Sequence, residues 1–363
     1  MLIVRSPVRV SFGGGGTDLP AYYEQFGGAV LSAAINKYCY TILGKRSDGR
    51  VQIISSDLRV FEAWQDLTNL QVRGNPLEIP LAVLKQMNCK VAVDLFMASE
   101  IPPGTGLGSS ASVCVNVLKA LTTYLHQPLS KYDLAEKAFH VARHVLEKNV
   151  GKQDEYAAAF GGINYFTFET NGAVMVDSIK ATPAVLQELQ SRLMLFFTGA
   201  AHNSWCILKE QEASTRHGTG SAVEALHEVK MLGAEMRGAL LQENVHRLGE
   251  LLHLGWMAKR RVSTKISDAR IDALYDLARE CGAVGGKITG AGGGGFLLLY
   301  CEPPQQVAVR EAMQGKGLQE MTFAFDLQGA QVIVNDPFID GDDRGGTRWV
   351  FVPNQPENQP LPQ

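Results

Sequence analysis

The segment Pro102–Ser112, PPGTGLGSSAS, sets three alternating glycines and two serines ahead of apolar residues at helical spacing: Val113, Val117, Leu118, Leu121 and Leu125. Gly104, Gly106 and Gly108 lack a Cβ, so the backbone can take positive φ there and turn its N–H groups toward a ligand. A helix starting here would add free N–H groups and the positive end of its dipole, an arrangement that binds phosphate. Upstream, Val91, Val93, Leu95 and Met97 alternate with Ala92, Asp94, Phe96 and Ala98 as a strand does. Strand, glycine loop and helix make a nucleotide-phosphate layout. It is not a Walker loop, because no Lys follows the last glycine, and G-x-G-x-G is not the dinucleotide fingerprint G-x-G-x-x-G. The competing reading is a tight turn with a serine N-cap.

Three further segments carry chemistry. Gly13 to Gly16 follow the strand-like SPVRVSF and lead into Thr17 and Asp18, and a carboxylate at the end of a glycine loop can accept hydrogen bonds from sugar hydroxyls. In GKQDEYAAAFGG, Asp154 is either an N-cap for the helix through Tyr156 to Phe160 or a base that takes a proton from an attacking hydroxyl. The glycines Gly290 to Gly295 of KITGAGGGGF lie between strand patterns, where backbone can approach a ligand or the first glycine loop closely. Taken singly, the glycine runs are ordinary turns.

The elements that must position these groups read as α+β. Strand patterns cover Leu2–Arg5, Val8–Phe12, part of Ala29–Leu43 and Val51–Ser55. Helical patterns cover Ser110–Leu125 and Ser130 to about Leu146, and strands return at Ile163–Phe168 and Val174–Val176. A second unit opens with Leu193–Thr198, continues with helices over Ser221–Leu241, Asn244–Met257 and a stretch ending at Cys281, and closes on strands at Val284–Thr289, Gly295–Cys301, Met321–Asp326 and Gln331–Val334. The expected division is 1–182, 183–335 and a proline-, glycine- and charge-rich tail, 336–363, partly disordered.

At 363 residues and 39.5 kDa, the chain suits two domains sharing an interface. With 45% hydrophobic and 20% charged residues and a net charge of −3, it reads as a soluble globular protein with neither nucleic acid nor membrane as partner. Lys259, Arg260 and Arg261 read as a solvated helix face. No secretory signal opens the sequence, and the six cysteines, without a C-x-x-C pair, read as reduced core residues of a cytoplasmic protein.

With these segments in this order, the chain resembles the GHMP kinases, whose P-x-x-x-G-L-G-S-S-A loop corresponds to Pro102–Ala111. RVSFGGGGTDLPAY, GKQDEYAAAFGGINYF and GAVGGKITGAGGGGFLLLY mark similarity to the branch acting on D-glycero-D-manno-heptose 7-phosphate, over about residues 3–334. The resemblance implies a two-domain α+β fold, with a ribosomal-protein-S5-like N-terminal half packed on a ferredoxin-like C-terminal half and the active site between them. It implies ATP held by Pro103, Gly104, Gly106, Leu107, Gly108, Ser109 and Ser110, with Ser110 reaching Mg2+. It implies Asp154 as the catalytic aspartate and Arg9 as its orienting cation. Gly14, Gly15, Thr17, Asp18 and Gly161 would serve the sugar, and Gly290–Gly294 would support the nucleotide loop.

The implied reaction moves the γ-phosphate of ATP to the anomeric hydroxyl of the heptose 7-phosphate, giving the 1,7-bisphosphate for nucleotide-activated heptose and surface polysaccharide. The implied partner is a small-molecule sugar phosphate, and a homodimer is compatible with it. Two departures stand out. Ala142 occupies the position where relatives carry a metal-holding glutamate, with Glu147 about one turn too late to replace it. His202 stands where relatives tend to show arginine. Candidates for gripping a substrate phosphate are Lys37, Lys152, Lys259 and Arg5. The alternatives are an anomeric kinase for another sugar such as fucose, or a catalytically silent regulatory paralogue that binds sugar and ATP.

Overall fold

The chain begins with β1 (Leu2–Gly13), in which buried Leu2 and Val4 alternate with half-buried Ile3 and Arg5 before the strand sinks entirely into the core. A computed structural model describes residues 1–88, 92–199, 204–216 and 220–336. After β1 come α1 (Pro20–Phe26), β2 (Gly28–Lys45), β3 (Val51–Ser55), β4 (Val60–Trp64), α2 (Glu78–Gln86), β5 (Val93–Ser99), α3 (Ser109–Tyr124) and α4 (Lys131–His140). A π-helical turn (Val141–Val145) leads to α5 (Gln153–Phe160), β6 (Ile163–Phe168) and β7 (Val174–Ser178). The rest comprises α6 (Pro183–Arg192), β8 (Leu193–Phe197), α7 (Ser204–Thr215), α8 (Ser221–Leu241), α9 (Val245–Arg260), α10 (Ala269–Glu280), β9 (Ala283–Ile288), β10 (Phe296–Cys301), α11 (Gln306–Gly315), β11 (Gln319–Glu320) and β12 (Gln331–Asn335).

Two sheets organise these elements, as the α+β reading expects. The larger runs β12-β1-β2-β5-β3-β4, with β6 pairing β2 and β7 pairing β6, and the smaller runs β11-β8-β10-β9. The 18-residue β2 carries the larger sheet: its C-terminal half pairs β5 and its N-terminal half pairs β6. Helix α3 packs across β1 and β2 and touches α4 and α5. Its buried face, including Cys114, Val115, Val117, Leu118 and Leu121, anchors one apolar core with Leu81 and Leu84 of α2 and Tyr156 of α5. A second core joins the sheets, bringing Val8, Val10 and Phe12 of β1 together with Leu248 and Leu252 of α9 and Leu298 of β10.

Three expectations need correction. Gln331–Val334 does not close the second sheet; β12 pairs antiparallel with β1, returning the chain to the first one. Met321–Asp326 is not a strand of that sheet either. Only Gln319–Glu320 adds to β8, while Phe325 bridges Ile35 of β2. Cys206 is exposed and Cys281 half-buried, so the description of the cysteines as core residues holds for Cys39, Cys114 and Cys301. Val91, Cys89, His202 and residues 337–363 lie outside the described residues.

Candidate active site

The glycine loop behaves as its residue types require. Gly104, Gly106 and Gly108 have φ of 75°, 78° and 76°, and Gly108 itself caps α3, with no serine side chain bonded there. The serine N-cap reading is therefore set aside. The first i→i−4 bond of α3 runs from Ser112 N to Gly108 O, which leaves the N–H groups before it free of helical partners. The second glycine loop braces the first: a Cβ on Gly290 would fall 2.7 Å from the Gly106 Cα. No side chain fits between the two turns.

Arg9, on β1 and 3% exposed, reaches across to α5. Its Nε donates to Asp154 Oδ1 at 2.7 Å, its Nη2 stands 2.7 Å from the same oxygen, and its Nη1 donates to the Gly106 carbonyl at 2.6 Å. One guanidinium thus ties the aspartate to the glycine loop. Asp154 lies in the first turn of α5, whose N-cap is Lys152, so the N-cap reading of Asp154 fails as well. A Cβ on Gly108 would sit 3.1 Å from Asp154 Oδ2, which places that oxygen at the mouth of the phosphate cradle.

Asp18 is buried beside them. Its Oδ1 accepts from Gly16 N (2.8 Å) and Gln153 Nε2 (3.1 Å), and its Oδ2 from Gln153 N (3.3 Å). Burial, followed by the charge of Asp154, pushes its pKa up against those hydrogen bonds. Gly151 makes room for it, since a Cβ there would meet Asp18 Oδ2 at 2.0 Å. Lys259 Nζ donates to Gly15 O (2.9 Å) and Gln211 Oε1 (3.2 Å), and Gln211 Nε2 donates to Gly16 O (3.2 Å). Burial lowers the Lys259 pKa to about 8, opposed by the Asp18 charge.

These groups line one cavity of about 330 Å³, with Arg9, Asp18, Gly104, Gly106, Gly108, Ser109, Ser110, Asp154, Lys259 and Gly290 in its wall and Trp205 and Leu208 of α7 on its rim. Other expected site residues serve the frame. Thr17 is fully buried, its hydroxyl within bonding distance of Gly14 O (2.8 Å), Ala29 O (2.9 Å) and Ala29 N (3.0 Å). Gly14 packs on the Ala29 carbonyl. Gly15 contributes its carbonyl to Lys259 rather than facing the cavity. Leu107 is a core residue whose carbonyl receives the Arg9 N–H at 3.0 Å, and Pro103 is exposed outside the cavity wall. Gly161 lies at the far end of α5 against Gln328 and Gly329, on the order of 10 Å of helix from Asp154.

The phosphate-gripping candidates separate in the same way. Arg5 bonds Gln331 and stacks over Tyr38, and Lys152 is held by Glu136. Lys37 is half-buried on β2 outside the cavity wall. Only Lys259 reaches the cavity, which corrects its reading as part of a solvated helix face. The signal was there: Leu248, Leu252, Trp256 and Lys259 follow one another at helical spacing on the buried side of α9. Arg260 and Arg261 do face outward, paired with Asp272 and Glu228.

Glu155 escaped the sequence reading. It is 2% exposed and contributes to the cavity wall, yet its Oε2 has no hydrogen-bond partner. Burial, then Asp154, holds its pKa well above the ordinary value. The Cys114 thiol, one turn beyond Ser110 on α3, is pushed up by burial and then by the Glu155 charge. Ala142 lines the same space from the π-helical turn. Glu147 pairs with Arg73 instead of replacing it. Among the described residues no group of three His, Cys, Asp or Glu side chains gathers for a metal. A hydroxyl at Ser110 and an orphaned buried carboxylate oxygen are nonetheless hard donors, of the kind Mg2+ takes alongside phosphates.

Residues 78–162 match the GHMP kinases N terminal domain and residues 236–318 the GHMP kinases C terminal domain. The chain is 30% identical to the D-glycero-alpha-D-manno-heptose 7-phosphate kinase of Campylobacter jejuni, over 90% of this chain and 97% of that one. It is 25% identical to the L-fucokinase/L-fucose-1-P guanylyltransferase of Bacteroides fragilis, over 84% of this chain and 35% of that one. The solved D-glycero-D-manno-heptose 1-phosphate kinase from Bacteroides thetaiotaomicron superposes with a TM-score of 0.78 at 27% identity, covering 93% of this chain and 100% of that one. No described helix is long and apolar enough to cross a membrane.

Proposed function

The chain belongs to the GHMP kinase family and is a phosphotransferase with an alcohol group as acceptor; from that premise we propose that it moves the γ-phosphate of ATP to the anomeric hydroxyl of D-glycero-D-manno-heptose 7-phosphate, giving the 1,7-bisphosphate. The observation that carries this reading is the position of Asp154 Oδ2 beside Gly108, where a base meets the phosphate cradle. The free N–H groups of the loop and of α3 hold the ATP phosphates. Asp18 holds sugar hydroxyls, and Asp154 takes the proton of the attacking one. The new O–P bond forms as the bond from the γ-phosphorus to the bridging oxygen breaks, and ADP leaves with that oxygen. Arg9 holds Asp154 in line while its third nitrogen fixes the loop. The Ser110 hydroxyl would hold Mg2+, which would supply charge neutralisation at the phosphates.

A second reading, an anomeric kinase for an unphosphorylated sugar such as fucose, has its own support. The cations in the described cavity wall already hold acceptors: Arg9 has Asp154, Lys148 has Glu78, and Lys259 has Gly15 and Gln211. A substrate phosphate would share one of these cations with its protein acceptors, displace an acceptor, or bind beyond the wall. ATP consumption by the full chain with Mg2+ separates the two, comparing the heptose 7-phosphate with unphosphorylated heptose and L-fucose, and locating the new phosphate by phosphorus NMR. C1 phosphorylation confined to the 7-phosphate is the expected result. Faster turnover of a free sugar overturns it in favour of the second reading.

A further inference from the structure

Glu155 is the group in this cavity that the proposed chemistry leaves unused. Its carboxylate is nine-tenths buried or more, and one oxygen meets no donor, although a desolvated, unpaired carboxylate is costly to keep. Its charged surroundings make the cost worse: Asp154 precedes it on α5 and Asp18 is near enough to be felt, with Arg9 the opposing charge and already committed to Asp154. On the α3 side its charge is felt at Cys114, which lines the same cavity one helical turn from Ser110. Ala142, in the π-helical turn, lines the same cavity with a methyl group, which offers no oxygen.

We propose that Glu155 is the protein carboxylate that holds the divalent cation of the nucleotide, together with the Ser110 hydroxyl, at the position that Ala142 leaves without an oxygen ligand. Resting on the kinase reading, this explains why a second acidic residue is buried directly after the base. A cation there satisfies the orphaned Oε2 and offsets the repulsion among three carboxylates. Two protein oxygens are enough for Mg2+, which keeps waters and phosphate oxygens in its remaining positions. The consequence is that Ala142 does not make the chain a silent paralogue.

The test is Mn2+ binding to the full chain with the non-hydrolysable analogue AMPPNP, followed by the loss of free Mn2+ signal in electron paramagnetic resonance, for the unaltered chain and Glu155→Gln. The expected result is a tenfold or larger loss of Mn2+ affinity, with metal-free ADP binding unchanged. Ala142→Glu combined with Glu155→Gln should recover most of the loss. Should Glu155→Gln fail to fold, as its melting curve would reveal, Glu155→Asp replaces it; retracting the carboxylate by one methylene should still weaken Mn2+ severalfold. Mn2+ affinity within twofold of the unaltered chain in whichever variant folds overturns the role of Glu155 alone. Failure of the unaltered chain to bind AMPPNP overturns the kinase reading beneath it.

Discussion

Arg9 approaches Asp154 with two nitrogens on a single oxygen, Nε and Nη2 both lying 2.7 Å from Oδ1. Both donors are spent on one side of the carboxylate, so Oδ2 is left to face the cradle beside Gly108. The third nitrogen, Nη1, bonds the Gly106 carbonyl at 2.6 Å, so base and phosphate loop share one fixed reference.

Asp154→Asn keeps the shape and removes the basicity. Turnover should fall by about a hundredfold to ten-thousandfold, the range for losing a general base, while KM for ATP changes only severalfold. Steady-state kinetics with saturating sugar checks this, and retention of a tenth or more of the turnover would remove Asp154 from its role.

Arg9→Lys should rescue little. A single ammonium cannot span both Asp154 and the Gly106 carbonyl as the planar fork does, so turnover should drop at least about tenfold and KM for ATP should rise. Equal kinetics for Lys and Arg at this position would mean that charge alone matters there, and that the tie to the loop is incidental.

Legibility from sequence followed the range of the interactions. The glycine loop was readable because its residue types and the helix that follows form a local pattern, and Asp154 was read locally as a cap or a base; Arg9 came only from the resemblance, since Asp154 and Gly106 lie 145 and 97 residues away from it. β12 was not readable, because its partner β1 lies at the other end of the chain, and no local signal tells Gln331–Asn335 which sheet edge to join. The resemblance put Thr17 with the sugar, but its hydroxyl closes the turn against Ala29, which only the fold brings near. Gln211 carried no signal, since its bond to Gly16 spans 195 residues.

Thr17 and Asp18 should therefore part company under mutation. Thr17→Val leaves the Ala29 N–H without its acceptor inside the core, a loss of about 1–3 kcal/mol that thermal or urea unfolding would register. Asp18→Asn should act on the sugar, raising its KM tenfold or more while ATP binding stays close to that of the unaltered chain. Isothermal titration with each ligand separates the two effects. A weakened sugar affinity in a Thr17→Val protein of full stability would return that hydroxyl to the binding site.

Gly290→Ala tests the brace between the loops. The residue has φ of 70°, and a Cβ would lie 2.7 Å from the Gly106 Cα and 2.8 Å from the Gly106 carbonyl oxygen. The loops must separate or the backbone must strain, costing on the order of 1–3 kcal/mol. Because Gly106 also receives Arg9, ATP affinity should fall more than sugar affinity. Gly315→Ala, with open space around its Cβ, is the matching control.

Lys287 on β9 gives a pH signature of the buried charges behind the cavity. Burial pushes its pKa down to about 7, the cations Lys259 and Arg9 push in the same direction, and Asp18 opposes them. Unfolding would return it to the ordinary lysine value of 10.5, so between about pH 7 and 10 the unfolded chain binds more protons than the folded one. Stability contributed by this group therefore rises with pH across that window, by at most about 1.4 kcal/mol per pH unit for a full proton. Asp18 and Glu155, raised on folding, act with the opposite sign at lower pH. Lys287→Met should be more stable than the parent at pH 7 and show a shallower rise toward pH 10, because one of the lysines lowered on folding is gone while Lys259, itself relieved of a like charge, Lys131 and Lys230 still contribute. Urea unfolding at pH 7, 8, 9 and 10 measures both slopes, and parallel curves would place the Lys287 ammonium in contact with water.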